Sequence, residues 1–411
     1  MNQLLFDTSV IADGLLGEAS ARTGIFRYAK CLAHQLAQRK GEKFIPFLPQ
    51  PDSTKLRKSY NFFDANNISQ PHGFQSAVIP SSMGTLIPNM IGKRFSFGLE
   101  RRIEGTALMW RLNKLLNDSS VAPVYFSPHS MPPIILNKKI IKTAICIHDI
   151  IPVLHPEVCT EWSIKFFKLL RKQLPQIDGI ICVSESTRNH LFDWMPELEN
   201  KPSTVIHHAA DDCFSPPNKN KFNNEVLDTI KVSRPFFLAV GTIEPRKNLN
   251  LLLESYAKLI ERHGDNAPQL IICGPKGWSD LGLNTQGTRL KILDHISFTG
   301  YISNEALAVL YSSAICLIFP SLYEGFGLPV LEAISSGAPV LCSSIPILHE
   351  ILGEAALFFN PSDSNQMMEC MERIFLNKWL RADLISLGFQ RAKLFSWTQT
   401  ADKTFEFIST L

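Results

Sequence analysis

Tyr323-Glu324-Gly325-Phe326-Gly327-Leu328-Pro329-Val330-Leu331-Glu332-Ala333 decides how this chain is read. Upstream, Ala314 to Phe319 is an apolar run of strand length. Downstream, Pro329 suits the first turn of a helix, where its missing N–H would be unpaired anyway. Gly337 followed by Pro339 reads as that helix's stop. The pattern predicts a buried strand, a glycine-broken loop carrying Glu324, and a helix whose first turn carries Glu332. In open α/β sheets, ligands bind outside the carboxyl ends of the strands. A helix N-terminus there adds free N–H groups and a partial positive charge. Carboxylates so placed can accept hydrogen bonds from the hydroxyls of a sugar or ribose. The spacing alone also fits a plain strand–loop–helix connection with solvated glutamates.

A second site lies upstream in the same half. The apolar run Pro235 to Val240 leads into Gly241-Thr242-Ile243-Glu244-Pro245-Arg246-Lys247-Asn248. Leu249, Leu252, Leu253, Tyr256 and Ile260 then recur on one helical face. Asn248 is the expected N-cap. Arg246 and Lys247 thus precede a helix start, where the helix dipole disfavours cations. Their presence asks for an anion, and two cations beside helix N–H groups suit a diphosphate. A solvated turn with two surface cations is the alternative.

Working outward, strand-like and helix-like segments alternate along the whole chain, as in a parallel sheet wrapped by helices. In the first half, strands are expected at Leu4–Phe6, Val124–Phe126, Thr143–Ile147, Gly179–Val183 and Ser203–Ile206. A helix with Ile25, Ala29, Leu32, Ala33 and Leu36 on one face follows the first of them. Ser215 to Asn224 is polar and turn-rich, a linker by composition. The second half adds strands at Gln269–Cys273, Ile296–Phe298 and Val340–Cys342. The expected division is residues 1–213 as an N-terminal Rossmann-like domain and 214–234 as a linker. Residues 235–392 form a C-terminal Rossmann-like domain, and 393–411 a last helix crossing back to the first. The fold class is α/β, two doubly wound domains facing across a cleft.

The chain has 411 residues, 45% hydrophobic and 19% charged, which suits a globular protein with real cores. Its 41 basic and 38 acidic side chains leave a net charge of +3, a balance that argues against nucleic acid as a partner. The nine cysteines are odd in number and form no C-x-x-C pair, so they read as reduced thiols rather than a disulfide framework or zinc site. No basic-then-apolar leader and no apolar run of about 18 residues is present. The expected location is the cytoplasm.

Taken together, the two sites resemble those of the family-4 retaining glycosyltransferases, also called group 1, which adopt the GT-B architecture. The resemblance rests on Gly241 to Leu249, Cys273-Gly274-Pro275-Lys276-Gly277-Trp278, Thr299-Gly300-Tyr301-Ile302-Ser303 and Phe319 to Pro329, in the family's order. It implies a nucleotide-sugar donor bound by the C-terminal domain. Arg246 and Lys247 would grip the diphosphate, Glu332 the ribose hydroxyls and Glu324 the donor-sugar hydroxyls. The backbone of Gly325, Phe326, Gly327 and Leu328 would line sugar and phosphate, with the base near Gly274, Tyr301 and Ile302. In the first half, Arg22-Thr23-Gly24-Ile25-Phe26-Arg27-Tyr28 resembles the family's early glycine loop, with Gly24 near the phosphates or acceptor. Ile147-His148-Asp149-Ile150-Ile151-Pro152 resembles its histidine motif at the donor sugar. Ser184-Glu185-Ser186-Thr187 follows the next strand, as in relatives, and the resemblance implies Asp149 and Ser184 among the substrate-binding residues. The implied reaction is glycosyl transfer with retained configuration.

No metal or other cofactor is implied, since protein cations would neutralise the diphosphate. No D-x-D motif follows a strand, and Asp211-Asp212 sits at the domain boundary. His207 and His208 read as linker or cleft-wall residues, and His148 could instead be a core histidine. The expected partners are the nucleotide-sugar and a glycan or lipid-linked acceptor of surface polysaccharide, lipopolysaccharide or glycolipid. The segments at His148–Pro152 and Gly274–Trp278 look most like users of GDP-mannose. A UDP-sugar transferase, a sugar-nucleotide epimerase and a non-catalytic scaffold are the alternatives. Lys93 to Arg111 and Asp52 to Phe63 mix cations with aromatics and could rest on an anionic membrane face, or be surface loops with snorkelling side chains. Trp162 to Lys172 reads as a helix with one face in the core rather than on a membrane.

Overall fold

The computed structural model describes residues 3–16, 24–47, 123–132, 141–216, 224–229, 232, 235–278 and 281–411. The stretches Lys93–Arg111 and Asp52–Phe63, residues Arg22 and Thr23, and much of the 214–234 linker lie outside them.

Short apolar runs bounded by turn residues become two parallel six-stranded sheets. The first comprises β1 (Leu4–Asp7), β2 (Phe44–Phe47), β3 (Val124–Ser127), β4 (Lys142–Ile147), β5 (Gly179–Cys182) and β6 (Ser203–Val205), in the order β2-β1-β3-β4-β5-β6. Its helices are α1 (Ser9–Leu16), α2 (Gly24–Lys40), α3 (Ile151–Leu154), α4 (Glu161–Gln173) and α5 (Glu185–Trp194). A short α6 (Asn224–Thr229) lies between the sheets in sequence.

The second sheet comprises β7 (Phe236–Val240), β8 (Gln269–Cys273), β9 (Ile296–Gly300), β10 (Leu317–Phe319), β11 (Val340–Ser343) and β12 (Ala356–Phe359). Its order is β12-β11-β10-β7-β8-β9. The helices are α7 (Leu249–His263), α8 (Leu283–Arg289), α9 (Asn304–Ser313), α10 (Leu328–Ser335), α11 (Pro346–Leu352), α12 (Ser364–Leu376), α13 (Lys378–Ala392) and α14 (Trp397–Ser409). Strand order reverses between β7 and β10, so the loops after these two strands open a crevice at their carboxyl ends. Those are the loops of Arg246, Lys247 and Glu324. The first sheet has its own reversal between β1 and β3.

One apolar cluster runs unbroken through both domains, from Leu4, Phe26 and Phe126 to Phe326, Leu328 and Leu348. Separate clusters fill the outer faces of the second and first sheets. The helix α14 packs on α2, and Asp402 pairs with Arg39 and Lys40 there.

Two local expectations are corrected. The strand expected from Ala314 is confined to Leu317–Phe319. Asn248 adopts a left-handed conformation (φ 54°), and its side chain donates to the Pro361 carbonyl at 2.9 Å instead of capping α7. The helix α4 does pack one side on the core, through buried Leu170 with Phe166 and Phe167 beside it, while Trp162 is 68% and Leu169 52% exposed on the other.

Candidate active site

A cavity of about 810 Å³ lies between the domains, at the carboxyl ends of both sheets. The second domain supplies the loops after β7, β8 and β10, and the first supplies the start of α2 and the turn after β4. Every expected site residue lines it except Ser184 and Glu332: Gly24, His148, Asp149, Arg246, Lys247, Gly274, Tyr301, Ile302, Glu324, Gly325, Phe326, Gly327 and Leu328.

Glu324 is the hub of the second-domain wall. Its Oε1 takes Lys247 Nζ at 2.5 Å and its Oε2 takes Arg246 Nη1 at 2.9 Å. Arg246 also reaches Glu244 through Nε at 2.5 Å. Burial pushes the Glu324 carboxyl up, but Arg246 and then Lys247 overrule it and hold it at about 2. The two cations therefore have counter-charges within the chain already. Both still face the cavity, so a ligand phosphate would join a network rather than meet bare charge.

Two glycines let the backbones meet here. A Cβ on Gly325 would stand 1.9 Å from the His148 carbonyl oxygen of the opposite domain. A Cβ on Gly274, at φ +147°, would stand 2.0 Å from the Gly241 carbonyl oxygen. Any side chain would push the β10 loop off the first domain, or the β7 and β8 ends apart.

On the first-domain wall, His148 Nε2 lies 2.7 Å from the Pro128 carbonyl oxygen. A carbonyl only accepts, so Nε2 carries the proton. Burial, aided by His129, lowers the ring to about 3. The imidazole is thus neutral, and its Nδ1 keeps a lone pair that can accept from a hydroxyl. His129 is itself lowered to about 4 by burial. His208 also faces the cavity, stacked on Tyr28 with centroids 4.5 Å apart, and burial holds it neutral.

Ser184 and Glu332 are placed differently from expectation. Ser184 is fully buried at the N-cap of α5, and its hydroxyl donates to the Gly325 carbonyl at 2.8 Å. Its hydroxyl thus makes a hydrogen bond between the domains and does not line the cavity. Glu332 lies just past the first turn, as the fifth helical residue, because α10 begins at Leu328 after left-handed Gly327. It is 1% exposed, with Arg27 Nη1 at 2.6 Å from Oε1 and the Tyr311 hydroxyl at 3.2 Å from Oε2. Burial raises its carboxyl, and Arg27 opposes that rise.

Sequence reasoning missed several members. Arg27 was visible in the Gly24 motif, three residues on, the spacing that shares a helix face. Asp211 lines the cavity and accepts from Cys31 Sγ at 3.0 Å and Asn304 Nδ2 at 3.2 Å. Glu350 of α11 accepts from the Glu185 and Ser186 backbone N–H groups at 2.9 and 3.2 Å, and from His207 at 2.8 Å. No local spacing announces such a contact. All nine cysteines are free thiols.

Residues 223–391 match the family described as glycosyl transferases, group 1. The chain is 27% identical to O-antigen chain mannosyltransferase B of Escherichia coli, over 93% of this chain and 94% of that protein. It is 28% identical to O-antigen chain mannosyltransferase RfbU of Salmonella typhimurium, over 60% of this chain and 63% of that one. The fold is shared with a sucrose-phosphate synthase of Thermosynechococcus elongatus (TM-score 0.70, 18% identity, 100% and 99% coverage). It is also shared with HepE of Anabaena, solved with UDP (TM-score 0.67, 15% identity, both chains fully covered). The second half of the chain thus matches the group 1 glycosyltransferases, and its two facing Rossmann-like domains share the fold of these solved structures.

Proposed function

We propose that the protein transfers mannose from GDP-mannose, with retained configuration, to a glycan or lipid-linked acceptor in surface-polysaccharide or glycolipid synthesis. The observation that carries the proposal is the cluster Arg246, Lys247 and Glu324, facing neutral His148 across one cavity. The mannosyltransferase relatives support the sugar.

In this reading Arg246 and Lys247 stabilise the departing diphosphate, as preorganised charges aimed where negative charge develops. Glu324 accepts from donor-sugar hydroxyls while the cations fix its orientation. His148 accepts from a further sugar hydroxyl through Nδ1. The bond from the anomeric carbon to the diphosphate oxygen breaks, the acceptor oxygen bonds to that carbon on the same face, and its proton passes to a diphosphate oxygen. A carboxyl held at about 2 and paired to two cations is a poor base, which favours the diphosphate as proton acceptor over Glu324. Protein cations take the place of a metal. Domain closure excludes water.

Exposed Trp162 and Leu169 on α4, among Lys165, Lys168, Arg171 and Lys172, support peripheral contact with an anionic membrane at the cytoplasmic face. Among the described residues, no helix is long and apolar enough to cross a membrane.

The test is turnover of GDP-mannose, GDP-fucose, UDP-glucose, UDP-N-acetylglucosamine and dTDP-rhamnose, with and without EDTA, reading released nucleoside diphosphate and the product anomer by NMR. The expected result is GDP release from GDP-mannose, unchanged by EDTA, with an α-linked product. Preference for a UDP-sugar, an inverted product or EDTA sensitivity would each overturn its own part of the proposal.

A further inference from the structure

Glu332 belongs to the second domain, yet the cation that neutralises it comes from the first. Arg27 projects from the opening turn of α2, lines the cavity and closes on Glu332 Oε1 at 2.6 Å. From the second domain's own side, the Tyr311 hydroxyl donates to Oε2 at 3.2 Å. A carboxylate offers about four lone-pair sites. Each oxygen therefore keeps one acceptor position beyond these two bonds, a match for two neighbouring hydroxyls.

The other titratable groups facing Glu332 are Asp211, in the stretch after β6, Tyr311 of α9, Cys273 of β8 and Cys213. Among the described residues that act on Glu332, Arg27 is the one cation. Asp211 is engaged by Cys31 and Asn304 and adds negative charge. With Arg27 removed, burial and Asp211 would both favour a protonated Glu332. A protonated carboxyl is a weaker acceptor for a diol than the anion.

We propose that Arg27 is a positioning residue of the donor site, supplied across the cleft by the first domain, and that it fixes the Glu332 carboxylate as the acceptor of the nucleotide's ribose hydroxyls. This rests on the donor reading above. It adds that the ribose seat is complete only while both domains are closed, so ribose binding and closure reinforce each other.

The experiment is calorimetric binding of GDP and UDP, each against its 2′,3′-dideoxy counterpart, from about pH 6 to about pH 9. The full chain carries Arg27, Arg27→Met, Arg27→Gln or Glu332→Gln. The wild type should prefer the ribonucleotide by about ten- to a hundredfold, the scale of hydrogen bonds to a charged group, with little pH dependence. In Arg27→Met the preference should shrink to within about twofold at the acid end and return as pH rises and Glu332 ionises. Arg27→Gln keeps an N–H donor without the charge and should show a milder form of the same slope, which carries the test if Arg27→Met does not fold. Wild-type preference without pH dependence in both Arg27 variants would reduce Arg27 to a structural ion pair and overturn the proposal, leaving the donor reading intact. A wild type indifferent to the ribose hydroxyls, or a Glu332→Gln that keeps the preference, would overturn the assignment of Glu332 itself.

Discussion

Glu324 and Glu332 flank one loop–helix junction, both buried, in opposite electrostatic settings. Around Glu324, two cations from the same domain outweigh burial and hold the carboxyl at about 2. Around Glu332, burial is the stronger influence and raises the carboxyl, with a single cation from the other domain opposing it. The first wall is self-sufficient and rigid in charge. The second depends on how the domains sit. A motif of two identical residues thus encodes one fixed contact and one conditional on closure.

The contrast can be broken most decisively at Glu324. Glu324→Ala takes the carboxylate from buried Lys247 and leaves Arg246 with Glu244. It should lower kcat by about 10²–10³ and cost about 3–5 kcal/mol of stability, read by turnover and denaturant unfolding. A variant with near-wild-type kcat would show that the cation wall does not need its hub.

Acid provides the next test. His129, His148 and His208 are held neutral, so the unfolded chain binds protons below about pH 6.5 that the native state refuses. Stability should be fully present above that pH and fall as pH drops, by up to about 1.4 kcal/mol per pH unit for each histidine. Glu324 adds its own loss only lower, as pH falls from its unfolded value towards about 2. The raised carboxyls of Asp7, Asp149 and Glu332 oppose this slope, so the direct check is NMR of the imidazole rings. His129, His148 and His208 should keep neutral-ring shifts from about pH 7 to about pH 5, and titration of these rings near about 6.5 would refute the buried neutral cluster.

Glu332→Gln should act more gently than Glu324→Ala. The expected outcome is a donor KM about tenfold higher with kcat within a few-fold, since the proposed role of Glu332 is at the ribose rather than at the reacting centre. A larger fall in kcat than in affinity would merge the two glutamates into one catalytic unit. The smallest effect is expected from Glu350→Ala, which removes the carboxylate that caps α5 across the domain seam. It should cost about 1 kcal/mol and raise donor KM a few-fold, checked by thermal unfolding and initial rates.

The sheets were legible because each strand is a short apolar run between turn residues, and the switch point follows from the order of those runs. Arg246, Lys247 and Glu324 were legible for the same reason: each sits at a fixed offset from its strand. Glu332 falls just past the first turn because the helix starts at Leu328, one residue earlier than Pro329 suggested. Ser184, Arg27 and Glu350 had no such offset to reveal their roles. Their partners lie across the cleft, at separations such as 141 and 165 positions, where no periodicity operates. For α4 the apolar pattern was visible, but whether anything covers it is a tertiary fact.

The helix α14 carries a consequence for how the molecule is made. Arg39 near the start of the chain meets Asp402 across 363 positions, and Gly179 of β5 sits against Phe407 and Leu411. The first domain therefore emerges from the ribosome early but lacks part of its helical cover until the second has been synthesised. With translation running at roughly 5–20 residues per second, the surface of α2 that α14 covers stays open for many seconds. During that interval a nascent chain exposes apolar area next to Ala401 and Phe405's eventual seat, where a chaperone or an aggregating neighbour would bind.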